Sequence, residues 1–143
     1  MTYRFLSIDD AKKMAKIFAE NFSDGWNLDQ LNGAFNTGGF YALGCYTDDL
    51  VGFITYTLVD GVADIDDVLV LPSNRRKGVG LNLVSECEKH LKSLGASKIM
   101  LEVRLGNQPA ISLYKKSGFL QISTRKKYYF DGEDALVFQK ELL

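Results

Sequence analysis

Apolar positions early in the chain recur at helical spacing. After a short strand-like run at residues 3–6, Ala11, Met14, Ala15, Ile17 and Phe18 define one apolar face of a helix running to about Phe22. Ser7 and Asp10 have the spacing of a capping box at its start, with Asp in place of the usual Glu. Ser23-Asp24-Gly25 breaks the pattern, residues 28–35 read as a second short helix, and Asn36-Thr37-Gly38-Gly39 reads as a turn. The period then changes. Residues 40–46, 50–59 and 62–71 are three strand-like runs rich in β-branched and aromatic residues, separated by Thr47-Asp48-Asp49 and by the hairpin signal Asp60-Gly61, and stopped by Pro72.

Helical spacing returns with Leu83, Cys87, Leu91 and Leu94. It places a long helix over about 78–94, with Ser85, Glu86, Lys89 and Lys92 toward water and Gly95 as its C-terminal cap. A strand at 98–104, a helix from Asn107 or Gln108 with Pro109 in its first turn and an end at Gly118, and strands at 119–125 and 135–141 complete the chain. The order predicts an α/β (α+β) fold: a mixed central sheet of about seven strands, with about four helices spread over both faces.

At 143 residues the chain fits one domain, 1–143, and the 46% of apolar residues suffices for a core. The net charge of −1 argues against a general nucleic-acid binder. Cys45 and Cys87 lie in different predicted elements and form no C-x-x-C pair, so they read as buried structural residues and no metal site is expected. The polar stretch 1–10 does not resemble a signal peptide, and no apolar run approaches the ~20 residues of a membrane span. A cytoplasmic protein, with no membrane partner, is therefore expected. The lone His90 falls among charged residues on the long helix and reads as an unpartnered surface residue.

One junction carries specific chemistry. The strand ending Val68-Leu69-Val70-Leu71 leads through Pro72-Ser73-Asn74 into Arg75-Arg76-Lys77-Gly78-Val79-Gly80 and then a helix. A helix start exposes unpaired N–H groups and a partial positive charge; glycines let an anion approach the backbone, and Arg and Lys add charge. The loop therefore suits a diphosphate. It is not a P-loop, which needs G-x-x-x-x-G-K-[ST], and Leu83 breaks the G-x-G-x-x-G of a dinucleotide fold.

The loop resembles the pyrophosphate motif of the GNAT N-acetyltransferases, [Q/R]-x-x-G-x-[G/A], with Arg75, Gly78 and Gly80 at its defined positions. Asn107, Ala110, Tyr114, Gly118 and Phe119 similarly match that family's later motif, N-x-x-A-x-x-x-Y-x-x-x-G-F. The resemblance spans essentially the whole chain and implies the GNAT fold, with acetyl-CoA as co-substrate. It implies that backbone groups of Val68, Leu69 and Val70 pair with the pantetheine arm, that Arg76, Lys77, Gly78, Val79, Gly80 and Leu81 surround the pyrophosphate, and that Asn107 lies near the cofactor.

Acetyl transfer to an amine requires loss of the amine proton, stabilisation of the thioester oxygen as it gains charge, and a proton for the departing thiolate. Tyr114 is the candidate acid, a phenol with an ordinary pKa near ~10. Glu102, on the strand Leu101-Glu102-Val103-Arg104 between apolar neighbours, is the candidate base, and partial burial would raise its pKa. An ion pair with Arg104 or Lys98 is its structural alternative. Asp66, Asp67 or a water chain compete for the base role. Since adjacent strand residues point to opposite faces, only one of the two aspartates is expected to face the substrate.

The segment Arg125-Lys126-Lys127-Tyr128-Tyr129 and the later Glu133-Asp134-Ala135 resemble the R-x-x-Y-Y…E-D-A pattern of the ribosomal-protein-alanine (RimI-like) N-acetyltransferases. That resemblance implies Glu102 as base, Tyr114 as acid and the α-amine of a protein N-terminus, such as a ribosomal protein's, as acceptor. Trp26, Tyr128 and Tyr129 would line the acceptor groove. The chain departs from the subfamily in lacking its Pro-Trp pair near Trp26. A small amine such as a polyamine is the alternative acceptor, drawn by Asp24, Asp131, Glu133 and Asp134, and a non-catalytic acyl-CoA sensor is the alternative of another class. A monomer or a homodimer suits either.

Overall fold

The computed structural model describes residues 1–21 and 25–143, so the predicted helix end at Phe22 and the break at Ser23 and Asp24 lie outside the described residues. In chain order the elements are β1 (Thr2–Phe5), α1 (Ala11–Asn21), α2 (Leu28–Phe35), β2 (Phe40–Tyr46), β3 (Leu50–Val59), β4 (Val62–Val70), α3 (Val79–Ser93), β5 (Lys98–Arg104), α4 (Gln108–Lys116), β6 (Leu120–Arg125) and β7 (Ala135–Glu141).

Local chemistry accounts for the boundaries. The Ser7–Asp10 capping box is formed, but on a 3-10 turn at residues 8–10 that leads into α1. A second box, which sequence reading missed, starts α2: Asn27 Oδ1 accepts from the Gln30 N–H, and Gln30 Oε1 from the Asn27 N–H, both at 2.9 Å. The hairpin turn between β3 and β4 places Asp60 and Gly61 at φ 50° and 79°, the left-handed pair that a tight two-residue connection needs.

The seven strands form one sheet in the order β1-β2-β3-β4-β5-β7-β6. All neighbours are antiparallel except β4 and β5, which run parallel. That parallel contact covers only three pairs, Val62 with Lys98, Ala63 with Ile99 and Asp64 with Met100, after which the strands part. The parting coincides with a β-bulge: Tyr56 of β3 faces Ile65 and Thr55 faces Asp67, so Asp66 is the extra residue.

Two cores sandwich the sheet. On one face Tyr56, Ile65, Ile99, Leu101 and Phe138 pack against Leu83, Cys87 and Leu91 of α3 and Ile111 and Tyr114 of α4. On the other, Ala42, Phe53 and Leu69 pack against Met14, Ile17 and Phe18 of α1 and Leu31 of α2. Helices thus cover both faces, as the element order predicts. Both cysteines are buried and unpaired. His90 is not the unpartnered surface residue that its charged neighbours suggested. Its Nδ1 lies 2.7 Å from the Tyr56 hydroxyl, and its ring packs edge-on against Tyr41 and Phe5, so burial lowers its pKa. Among the described residues no helix is long and apolar enough to cross a membrane.

Candidate functional site

The parting of β4 from β5 opens a cleft of about 680 Å³, walled by the end of β4, by Arg75 and Arg76, and by residues of α4 from Gln108 to Lys116. A strand edge that has lost its neighbour keeps unpaired backbone groups. The Leu71 N–H donates to the Val51 carbonyl at 2.9 Å, so by strand alternation Leu69 also turns its backbone to β3, while Val68 and Val70 turn theirs to the cleft. Of the three residues expected to pair with pantetheine, Leu69 is therefore committed to β3 and its side chain to the α1–α2 core. Arg75 Nε donates to the Val70 carbonyl at 3.0 Å, which leaves Val68 and the Val70 N–H for an extended ligand.

At the head of the cleft stands the start of α3. Gly78 occupies the N-cap at φ 79°, a left-handed conformation natural to glycine, and supplies no side-chain cap. The first helical bond runs from the Asn82 N–H to the Gly78 carbonyl, so the N–H groups of Val79, Gly80 and Leu81 have no partner within the helix. Gly78, Val79, Gly80 and Leu81 line an adjoining hollow of about 210 Å³ with Arg75 and Arg76. A Cβ on Gly80 would lie 3.4 Å from Leu113, so the glycine also lets α3 and α4 come close. Arg76 takes a strained left-handed φ of 61°. Lys77 is exposed and outside both walls. Pro109, Ser112 and Lys116 join the walls without having been anticipated; their i, i+3, i+7 spacing on α4 is the signal that could have found them. Asn107 lines the cleft and caps α4, its Oδ1 accepting from the Ala110 N–H at 3.3 Å.

Tyr114 reaches the cleft from the α3–α4 face. It is 6% exposed and packs edge-on against Phe119. Burial, and next the nearby charge of Asp67, raise its pKa, so the phenol stays protonated.

Glu102 lies on the opposite face. Its strand neighbours Leu101 and Val103 belong to the α3–α4 core, so alternation sends Glu102 the other way. It is not buried as its apolar neighbours suggested, and its partners are neither Arg104 nor Lys98. Arg125 Nε pairs with Oε2 at 3.1 Å, and the Tyr128 hydroxyl donates to Oε1 at 3.4 Å. Tyr129 stands edge-on to Tyr128 at 5.2 Å, and burial, and next the Glu102 charge, raise its pKa. Glu102, Tyr128 and Tyr129 thus form one cluster. Trp26 stands apart from it, stacked on Phe40 at 5.5 Å against the α1–α2 core.

The bulge overturns the expectation that Asp66 and Asp67 face opposite ways. Asp66 accepts a bond of 2.9 Å from the hydroxyl of Thr57, and Asp67 stands opposite Thr55. Thr55 and Thr57 share the face of Phe53, so both aspartates lie on the α1–α2 side, the face of Glu102. Asp66 is exposed, yet enough protein surrounds its carboxylate that desolvation, opposed by Thr57 and reinforced by Asp64, pushes its pKa up to about 6.

Of the acidic residues expected to draw a polycation, Asp24 lies outside the described residues and the other three are engaged by two cations. Asp131 and Glu133 both bind Arg104, and Asp134 binds Lys126. Among the described residues no group of three or more His, Cys, Asp or Glu is arranged to hold a metal.

The acetyltransferase (GNAT) family pattern matches residues 7–119. A Bacillus subtilis protein, provisionally named as a ribosomal protein bS18-alanine N-acetyltransferase, is 31% identical over 137 residues, 94% of this chain and 91% of its own. The N-alpha-acetyltransferase of Sulfurisphaera tokodaii is 42% identical over 76 residues, 52% of this chain and 46% of that protein, so the chain spans about half the length of that relative. Among solved structures, the Escherichia coli ribosomal-protein-S18-alanine N-acetyltransferase superposes with a TM-score of 0.89 at 24% identity, covering 99% of this chain and 93% of that one. Arabidopsis thaliana NAA60 in complex with acetyl-CoA superposes with a TM-score of 0.89 at 19% identity, covering 98% of each chain.

Proposed function

This chain belongs to the acetyltransferase (GNAT) family, and on that premise we propose that it transfers the acetyl group of acetyl-CoA directly to the α-amine of a protein N-terminus. One observation carries the reading. The parting of β4 from β5 leaves a gap in the sheet, with the candidate acid Tyr114 on one face and the candidate base Glu102 on the other. A donor in the cleft and an acceptor on the opposite face would meet there.

The residues present fit the donor. Val68 and the Val70 N–H would hold an extended amide-bearing arm as an added strand, and the three uncapped N–H groups of α3, with Arg76, would hold a diphosphate. When bound, acetyl-CoA supplies the activated acetyl group. On the acceptor side Glu102 would take the proton of the ammonium, directly or through water, with Asp66 and Asp67 on the same face as alternatives. An α-amine, with an ordinary pKa of ~7.7–8.0, gives up that proton far more readily than a lysine. Tyr114 would donate to the departing sulfur. Its raised pKa makes it a weak acid, so its main contribution is a hydrogen bond that strengthens as charge accumulates on the sulfur. The pairing of Asp131 and Glu133 with Arg104, and of Asp134 with Lys126, supports an α-amine over a polyamine as acceptor. The ribosomal-protein names among the relatives support an N-terminal alanine as the first acceptor to try.

The test is an acetyl-CoA assay that follows free thiol with Ala- and Ser-starting peptides, lysine peptides and polyamines. Turnover on the first group is expected; turnover on polyamines alone, or tight acetyl-CoA binding without any turnover, refutes the reading. Glu102→Gln should lower the rate most at low pH, where the amine is protonated. A variant with wild-type pH dependence would move the base role to Asp66, Asp67 or water.

A further inference from the structure

The connection between β6 and β7 carries Tyr128 and Tyr129 and has no regular secondary structure. Its internal bonds include two between backbone groups: the Tyr129 N–H donates to the Glu133 carbonyl at 3.1 Å and the Gly132 N–H to the Tyr129 carbonyl at 2.8 Å. Besides the Tyr128–Glu102 contact and a bond of 3.0 Å from the Leu105 N–H to the Asp134 carbonyl, Arg104 anchors it to the sheet. Arg104 NH1 donates to Asp131 Oδ2 and to Glu133 Oε1, both at 3.0 Å, and the guanidinium lies 4.0 Å from the centre of the Tyr129 ring. The other oxygen of Glu133 accepts the Gly106 N–H at 2.8 Å. Gly106 immediately precedes Asn107, the cap of α4 on the cleft wall.

One carboxylate therefore joins three parts of the site. Arg104 is two residues beyond Glu102 on the same strand and the same face, so whatever it grips stands beside Glu102. A planar guanidinium with a carboxylate on its edge and a ring on its face fixes orientation as well as distance. Gly106 reports the same closeness: a Cβ there would lie 2.7 Å from Glu133 Oε2, so a side chain at this position would push the carboxylate away.

We propose that Arg104 and Glu133 are positioning residues that set the acceptor wall, holding Tyr129 beside Glu102 and tying that wall to the Asn107 end of α4. This rests on the N-acetyltransferase reading above. It gives the Glu of the Glu-Asp-Ala segment a role inside the protein, as the pin of the acceptor loop.

The test compares Arg104→Met, Glu133→Ala and Gly106→Ala, the last of which displaces Glu133 without removing a charge. Each should raise the KM for an Ala-starting peptide about tenfold while the KM for acetyl-CoA changes less than about twofold, because the acceptor is mispositioned and the donor cleft is not. The double variant Arg104→Met/Glu133→Ala should cost little more than either single one, since both break one device. Equal rises in both KM values, full additivity, or normal peptide KM values in the variants overturn the proposal. Wild-type turnover on the peptides is scored first, so its absence counts against the acceptor reading alone. Amide exchange at Gly106 then judges the pin without turnover: lost protection in Glu133→Ala supports it, and unchanged protection overturns it.

Discussion

At the scale of single residues, environment sets what each candidate group can do. Tyr114 is kept neutral by burial, whereas Glu102 is held by Arg125 and Tyr128 at the surface. Tyr114→Phe removes only the hydroxyl and should lower kcat by about 10²-fold while leaving acetyl-CoA binding nearly intact, measured by steady-state kinetics and titration. An unchanged kcat would remove Tyr114 from the acid role. Asp66 gives a stability test. Its folded pKa, about 6, is raised above the ordinary carboxylate value, so between roughly pH 4 and 6 the folded state binds more protons than the unfolded one. Stability therefore falls as pH rises through that window. Asp66→Asn should be more stable than the parent at pH 7 in urea unfolding, with the difference shrinking toward pH 4; a constant difference would contradict the assigned cause.

Among the elements, the start of α3 carries most of the proposed donor binding. Its N-cap has no side-chain partner, and the glycine at that position sits in left-handed backbone space. Gly78→Ala should cost on the order of 1 kcal/mol of stability from backbone strain alone. It should also weaken acetyl-CoA binding severalfold by shifting the uncapped amides, a change that calorimetric titration would register beside the denaturation midpoint. Tight binding with lowered stability would mean that the loop holds its shape without the glycine. The far end of the same helix is tied differently, by His90 to Tyr56 of β3 and to the rings of Tyr41 and Phe5. That cluster belongs to packing, since it lies across α3 from the cleft walls.

Across the whole molecule, the sheet must stay intact on either side of its opening. Lys140 of β7 helps, with Nζ donating to Glu88 of α3 at 2.9 Å and to the Ser117 carbonyl at the end of α4 at 2.7 Å. Glu88 is only 13% exposed, so Lys140→Met leaves a largely buried carboxylate unpaired. The expected loss is on the order of 2 kcal/mol, below the figure for a fully buried pair because Lys140 is 28% exposed. The urea midpoint should fall while the KM values hold.

The sequence by itself determined the elements and marked out the residues of the proposed donor side. Helical and strand periods, Gly78 and Gly80 at a helix start, and the spacing of Asn107 and Tyr114 are local properties, and local properties survive in a linear reading. Tertiary structure decided what surrounds the proposed acceptor side. Asp66 and Asp67 share a face only because a bulge adds a residue to β4, and Glu102 meets Arg125 and Tyr128 only because β6 and β7 fold back beside β5. Glu133 became a partner of Arg104 and Gly106 across 29 and 27 residues of chain. Such pairings depend on register and on which strands adjoin, and no periodicity along the chain encodes either.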